Sequence, residues 1–267
     1  YGACPPPPPP AAVAEGKPRI VFLHIMKTAG TSIRHRLEEL AQGEPIWRRE
    51  VDGRPGDKAQ QELLRYRVLM GHFGIHDARH VPAPRKIFTV LREPKERLVS
   101  YYHHLHRHRA EVVAHRGMER ARIARDCTLE EFLSHPDKGL RRTLQNNMTC
   151  TLAGDYRPLG PNRYHQPWEP VTEGISGAEL LRRALNNLFS LDFVTFVDRL
   201  EEDRPKLMEA LDLPDLGPFT RDNSKDLVSA MLEPRPPPVV TPAAERQLRR
   251  LTDLDRILYQ LARQHWT

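Results

Sequence analysis

The sequence predicts an α/β fold, a mainly parallel sheet flanked by helices with an additional helical lid or flank. Three observations carry this expectation. Short apolar segments at 19–25, 86–91 and 193–197 suit strands buried on both faces. Segments with apolar residues at three- and four-residue spacing separate them. These amphipathic segments outnumber what a sheet of this size needs as cover, so some are expected to form the lid or flank.

Residues 1–18 stand apart as a proline-rich tail or stem. Six consecutive prolines, Pro5–Pro10, favour an extended polyproline stretch that joins neither helix nor sheet. Residues 19–267 then read as one domain. The first strand is 19–25, with Ile20, Val21, Phe22 and Leu23 in an unbroken run. A polar loop, 26–30, leads to a helix over 31–41, where Ile33, Leu37 and Leu40 recur at helical spacing. Gly43 and Pro45 end it. Residues 67–70 and 86–91 are further strands. Pro94 belongs at the first turn of the next helix, whose apolar face is Leu98, Tyr101, Tyr102 and Leu105. Capping boxes at Thr128–Glu131 and Ser176–Glu179 open two more helices. The strand at 193–197 precedes a helix over 198–211. A second proline cluster, 234–238, separates the body from a last helix starting at Thr241-Pro242.

A chain of 267 residues with 39% hydrophobic content can bury a sizeable core, which excludes wholesale disorder. No apolar run reaches the ~18–20 residues of a membrane span. The longest, 189–197, is interrupted by Asp192. Three cysteines, Cys4, Cys127 and Cys150, allow one bridge at most, and reduced thiols are expected. The net charge of +6 favours anionic ligands over cationic ones. Nucleic acid is not an expected partner, because no zinc-finger spacing occurs and aromatics are only 7%.

Two segments carry chemistry. The first is Leu23-His-Ile-Met-Lys-Thr-Ala-Gly-Thr-Ser32, between the first strand and the first helix. A helix N-terminus there presents N–H groups and partial positive charge to an anion. Gly30 permits close backbone approach, Thr31 and Ser32 add hydroxyls, and Lys27 adds a point charge. A plain strand-to-helix turn with a capping threonine is the bland alternative. The segment is not a Walker A loop, because Lys27 precedes Gly30 and the upstream glycine is missing. The strand at 193–197 ends in Asp198, the place of a metal-holding aspartate in an ATPase, but without the matching loop.

The second segment is Thr89-Val-Leu-Arg-Glu-Pro-Lys-Glu-Arg-Leu-Val-Ser-Tyr-Tyr102. Arg92 ends a central strand, at the edge where parallel sheets bind ligands. Ser100 lies about two turns into the following helix. An arginine fork and a hydroxyl suit a second phosphate. The alternative is an Arg92–Glu96 salt bridge with Ser100 as an ordinary helix residue.

The first segment resembles the His-Ile-Pro-Lys-Thr-Ala-Gly-Thr-Ser signature of carbohydrate sulfotransferases related to heparan sulfate 2-O-sulfotransferase and uronyl 2-O-sulfotransferase. The second resembles that family's 3′-phosphate-binding segment. A weaker likeness continues through residues 145–154 and 193–200. The resemblance implies a P-loop-like fold that binds 3′-phosphoadenosine 5′-phosphosulfate as sulfate donor, with no metal. Lys27, Thr28, Ala29, Gly30, Thr31 and Ser32 would grip the 5′-phosphosulfate. Arg92 and Ser100 would hold the 3′-phosphate. His72, in Leu69-Met-Gly-His-Phe73, would be the general base, and Lys27 would stabilise the leaving group. Met70 stands where the heparan enzymes have a first histidine, and Met26 replaces the signature proline. Asn223, Ser224 and Lys225 loosely match a loop covering the nucleotide.

A carbohydrate acceptor is the implied partner, a polyanionic one where the basic clusters face it. The chain starts at Tyr1 rather than Met, so an upstream anchor would not show, and the resemblance favours a lost Golgi-type anchor over a cytoplasmic enzyme with a linker tail. The proline-rich tail then suits a Golgi-type stem. His103, His104, His106 and His108, with Arg107, Arg109, Arg116, Arg120, Arg122 and Arg125, form a basic stretch. A solvated or acceptor-facing surface is expected there rather than a metal site, because no third ligand accompanies His104 and His108. Two further readings remain open on the residues alone. One is a P-loop-type phosphotransferase, the other a non-catalytic polyanion-binding relative.

Overall fold

In the computed structural model, residues 17–41, 43–48, 52–154, 156–157, 169–170, 175–219 and 230–266 are described. Five strands form one parallel sheet: β1 (Arg19–Leu23), β2 (Ile46–Arg48), β3 (Val68–Gly71), β4 (Arg85–Leu91) and β5 (Phe193–Phe196). Their order is β2–β3–β1–β4–β5. β1 is central and buried along its whole length. Val21 and Leu23 enter the core on one face, Ile20 and Phe22 the core on the other. That two-sided burial is why β1 reads as an unbroken apolar run rather than an alternating one.

The chain leaves β1 for the β2 edge, returns through β3, then crosses β1 to reach β4. The connection leaving β1 therefore runs to one side of the sheet, and the connection leaving its neighbour β4 runs to the other. In an open parallel sheet such a point opens a crevice at the C-terminal ends of the strands. Asp192, which interrupts the apolar run before β5, has a structural task. Its carboxylate accepts the Ile87 N–H at 2.7 Å, and its own N–H donates to the Ile87 carbonyl. It pins the start of β5 to β4.

The helices are α1 (Gly30–Ala41), α2 (Gln60–Leu63), α3 (Ile75–His80), α4 (Pro94–His106), α5 (Ala110–Arg116), α6 (Glu119–Asp126) and α7 (Leu129–Ser134). They continue with α8 (Lys138–Leu144), α9 (Asn147–Ala153), α10 (Gly177–Leu188), α11 (Arg204–Ala210), α12 (Pro242–Leu251) and α13 (Asp253–Trp266). Helix α4 opens with Pro94, and Glu93 accepts the Glu96 N–H at 2.8 Å. Leu98, Tyr101, Tyr102 and Leu105 are buried against α6, α7 and α12 in a core of their own. This is the helical flank that the surplus of amphipathic segments foretold. No helix among the described residues is long and apolar enough to cross a membrane.

Several expectations changed. The segment 198–211 is not one helix: turns occupy 197–202 and α11 begins at Arg204. Buried Asp203 holds that turn, accepting from Thr195 at 2.8 Å and Arg199 at 3.0 Å. The last helix divides at Thr252, because Asn146 intrudes and spends its N–H on the Leu251 carbonyl. The Thr128 capping box forms on both sides. At Ser176 only half forms, since Glu179 turns instead to Arg182 and Arg183. The 234–238 cluster is not a bare spacer. Just before it, Met231 and Glu233 bond to Arg109 and Arg107, stitching the strap to the end of α4. Cys127 and Cys150 are both free thiols. Cys4 and the proline run lie outside the described residues.

Candidate active site

Three neighbouring strands deliver their C-terminal ends to one place. β1 runs into the loop at 24–29 and then α1. β3 runs into His72. β4 runs into Arg92 and then α4. Leu23 lies level with Gly71 on one side and Thr89 on the other. Thr89 Oγ1 donates to the Leu23 carbonyl at 2.7 Å, in a fully buried bond that ties the two motif strands together.

The first loop is tightly wound. Lys27 and Ala29 have positive φ, 68° and 61°. Thr28 is buried, and its hydroxyl donates to the Ile25 carbonyl at 2.7 Å. That bond closes the loop on itself, so the Thr28 hydroxyl serves the loop rather than a ligand. The first helical bond of α1 runs from Ile33 N–H to the Ala29 carbonyl. The N–H groups of residues 30–32 thus have no partner within the helix. No acidic residue lies in that first turn.

Gly30 is required for a reason the sequence did not reveal. A Cβ there would lie 1.8 Å from His24 Nε2. The space belongs to the His24 imidazole, which stacks on Phe22 and lies 4.2 Å, centroid to centroid, from His72. The histidine and the glycine of the signature are therefore packed against each other. Burial, with His72, Lys27 and Arg34 nearby, holds His24 well below the usual imidazole range, so it is neutral.

Lys27 faces a crowd of like charge. Burial chiefly, with Arg92 and Arg107, lowers its ammonium from the ordinary 10.5 to about 8. His104 falls to about 3, again through burial first, then Lys27, His108 and Arg107. Side chains from the β1 loop, the β4 end and the far end of α4 thus converge. Gathering cations at a cost to their own protonation is what a site for a multivalent anion looks like before the anion arrives. Arg92 also makes the alternative contact, to Glu96, at 3.5 Å. Glu96 is largely exposed, and pairs of that kind contribute no more than about 1 kcal/mol. A phosphate dianion displaces such a pair easily. Ser100 lies on α4, half-buried. These donors, cations and hydroxyls suit a nucleotide carrying phosphates at two ends.

Beside this region a cleft is lined by His24, Ile25, Met26, His72, Phe73, Asn147 and Thr151. His72 Nδ1 lies 2.7 Å from the His24 carbonyl oxygen. A carbonyl only accepts, so Nδ1 carries the proton and Nε2 of the neutral ring carries the lone pair. The sequence named His72 but had no partner to select the tautomer.

Asn147 and Thr151 enter from α9, whose position depends on α13. Asp255 of α13 accepts from Met148 N–H, Thr149 N–H and the Thr149 hydroxyl, at 3.3, 2.8 and 2.7 Å. In return, Asn146 Oδ1 accepts from Leu254 N–H and Asp255 N–H, and its amide donates to Asp253 at 2.7 Å. Each helix caps the N-terminus of the other. Burial raises the Asp255 carboxyl, against the opposing pull of Arg97 and these bonds. Asn146 sits in the left-handed region, φ 45°, which asparagine tolerates. The only sequence signal for this arrangement was the weak likeness at 145–154, which assigned no roles.

Other expectations resolve differently. Asp198 pairs with Arg263 at 2.9 and 3.0 Å, an ion pair with α13. The basic stretch is solvated only in part: Arg116 and Arg122 are exposed, while His103, His104, His106 and His108 are buried or half-buried. His108 is 3% exposed, and His106 stacks on Tyr102. Arg122 pairs with Glu119 and Asp126, and Arg125 with Glu233. Burial and internal carboxylates absorb much of that stretch, while His104 and Arg107 turn toward Lys27. Asn223, Ser224 and Lys225 lie outside the described residues.

No curated protein matches the chain. A family model described as the sulfotransferase family matches residues 10–264, almost the whole sequence. The chain belongs to the sulfotransferase family.

Proposed function

We propose that this chain transfers a sulfuryl group from 3′-phosphoadenosine 5′-phosphosulfate to a hydroxyl of a carbohydrate acceptor, with His72 as general base. The observation that carries the reading is the juxtaposition at β1. Lys27, crowded by Arg92 and Arg107, and a helix N-terminus lie on one side, and a tautomer-selected histidine in a cleft lies on the other.

The N–H groups of residues 30–32, with Lys27, suit the 5′ end of the donor. Arg92 and Ser100 suit the 3′-phosphate. Adding the donor's negative charge restores the Lys27 ammonium, because the like-charge and burial penalties are then offset. When bound, the donor supplies an activated sulfuryl group whose departure leaves charge on a phosphate oxygen. Lys27 offers its ammonium to that oxygen. Nε2 of His72 takes the proton of the acceptor hydroxyl as the new O–S bond forms and the old S–O bond breaks. The His24 carbonyl steadies the imidazolium through the Nδ1–H bond.

Thermal unfolding with nucleotides tests the donor. Adenosine 3′,5′-bisphosphate is expected to raise the melting temperature, and ATP with Mg²⁺ is not. The opposite pattern overturns the proposal. Transfer of labelled sulfate to desulfated heparin, chondroitin and neutral N-acetyllactosamine oligosaccharides then tests the acceptor class.

A further inference from the structure

We propose that the side-chain amide of Asn147 binds the acceptor, holding the hydroxyl adjacent to the one that receives sulfate. The inference rests on the sulfotransferase reading and deepens it. It fixes which chain segment reads the acceptor and what chemical feature is read.

Asn147 lines the same cleft as His72 and is 7% exposed. Its side-chain amide makes no hydrogen bond to any described residue. The amide is not among the buried unsatisfied groups of the described residues, so it reaches the water of the cleft, where its donors and acceptor are open to a ligand. Its neighbour is accounted for: Thr151 donates its hydroxyl to the Asn147 carbonyl at 2.7 Å, a contact internal to the helix. The amide is the cleft's group with hydrogen-bonding capacity to spare, and it can both donate and accept.

The surroundings define the feature it reads. Ile25 and Phe73 are almost fully buried and, with Met26, make the cleft walls apolar. The space between them is only about 20 Å³, so the cleft takes a hydroxyl-bearing edge of a sugar and not the whole ring. His72 addresses the reacting hydroxyl. A second point of contact on the same ring is needed to set its rotation. A vicinal hydroxyl both donates and accepts, matching the amide.

The mounting is rigid. Asn147 is the first residue of α9, immediately after Asn146, whose backbone and side chain are clamped to α13. The next two N–H groups are held by Asp255. A side chain at that position stays in register with His72 without help from the ligand, as orientation of a reacting group demands.

The test compares wild type with Asn147→Ala, Asn147→Ser and Asn147→Asp. The acceptor is the oligosaccharide turned over fastest in the panel above, alongside its analogue deoxygenated next to the sulfated position. The Ala and Ser variants should lose at least ~10-fold in kcat/KM for the acceptor. Their melting-temperature rise with adenosine 3′,5′-bisphosphate should match wild type. Deoxygenation should cost wild type at least ~10-fold and the Ala variant less than about twofold, because the two changes remove the same bond. Asn147→Asp keeps an accepting oxygen at constant size, so it should retain more activity than Ala. If one substitution prevents folding, the other two carry the comparison. Full-size deoxygenation losses in a folded variant, or kcat/KM within about twofold of wild type, overturn the inference alone. A wild-type protein that takes no bisphosphate overturns the sulfotransferase reading and the inference with it.

Discussion

On the proposed function, the donor half and the acceptor half of the site are built by opposite means. The donor half crowds Lys27, Arg92, Arg107 and His104 together, and burial with these neighbours makes Lys27 and His104 harder to protonate. The acceptor half carries little charge. It consists of two histidines in ring contact, of which His24 is held neutral, an amide and apolar walls. Charge acts at a distance and tolerates imprecision, so the donor half can be assembled from three chain segments. Hydrogen bonding to a sugar demands fixed geometry. The acceptor half is accordingly mounted on cross-capped helices and a stacked histidine.

The sharpest way to separate the halves is His72→Ala. Turnover should fall at least ~100-fold, the scale of a lost general base, while the bisphosphate shift in melting temperature is unchanged. Labelled sulfate transfer and thermal unfolding read the two arms. Lys27→Ala should fail differently, losing about 100-fold in kcat and also weakening the bisphosphate, because one ammonium serves both binding and leaving-group stabilisation. A variant that binds bisphosphate normally would remove Lys27 from the donor half.

The acceptor half should break through its mounting. Asp255→Ala leaves Met148 N–H, Thr149 N–H and Arg97 without their buried carboxylate, and should cost about 3 kcal/mol in denaturant unfolding. Residual bisphosphate binding in the folded fraction should be near normal, since no donor group lies on α9.

The pH dependence of bisphosphate binding in the alkaline range should come from Lys27. Lys27 titrates near 8 in the empty protein, and an anion raises that value. Bisphosphate affinity should therefore be highest below pH 8 and fall by up to about tenfold per pH unit above it, until the bound-state value is reached. Stability of the empty protein carries the opposite sign. Its folded value is depressed below the ordinary 10.5, so the unfolded chain binds more protons between about 8 and 10.5, and the Lys27 contribution to stability rises with pH across that window. Calorimetric titration in two buffers of different ionisation heat checks the first statement through proton uptake. The smallest effect belongs to Glu96→Gln. It frees Arg92 of a weak exposed pair, changing stability by under about 1 kcal/mol and tightening the bisphosphate no more than a few-fold.

Local sequence determined the two motifs of the donor half because each motif is contiguous in the chain. The run at 20–23 specified a two-sided strand, and Lys27 to Ser32 specified the helix N-terminus after it. Arg92 followed a strand and Pro94 opened a helix, as local sterics require. The His72 ring was nameable from its segment. What tertiary structure decided is everything that depends on distant residues. Gly30 is needed because His24 occupies its Cβ position. The His72 tautomer follows from a carbonyl 48 residues away. Asn147 reaches the cleft because Asp255, more than a hundred residues on, caps its helix. Such contacts carry no periodicity and no fixed spacing. They exist only once hydrophobic burial has brought the segments together, so a single sequence holds the donor half in its motifs and the acceptor half only in its folded state.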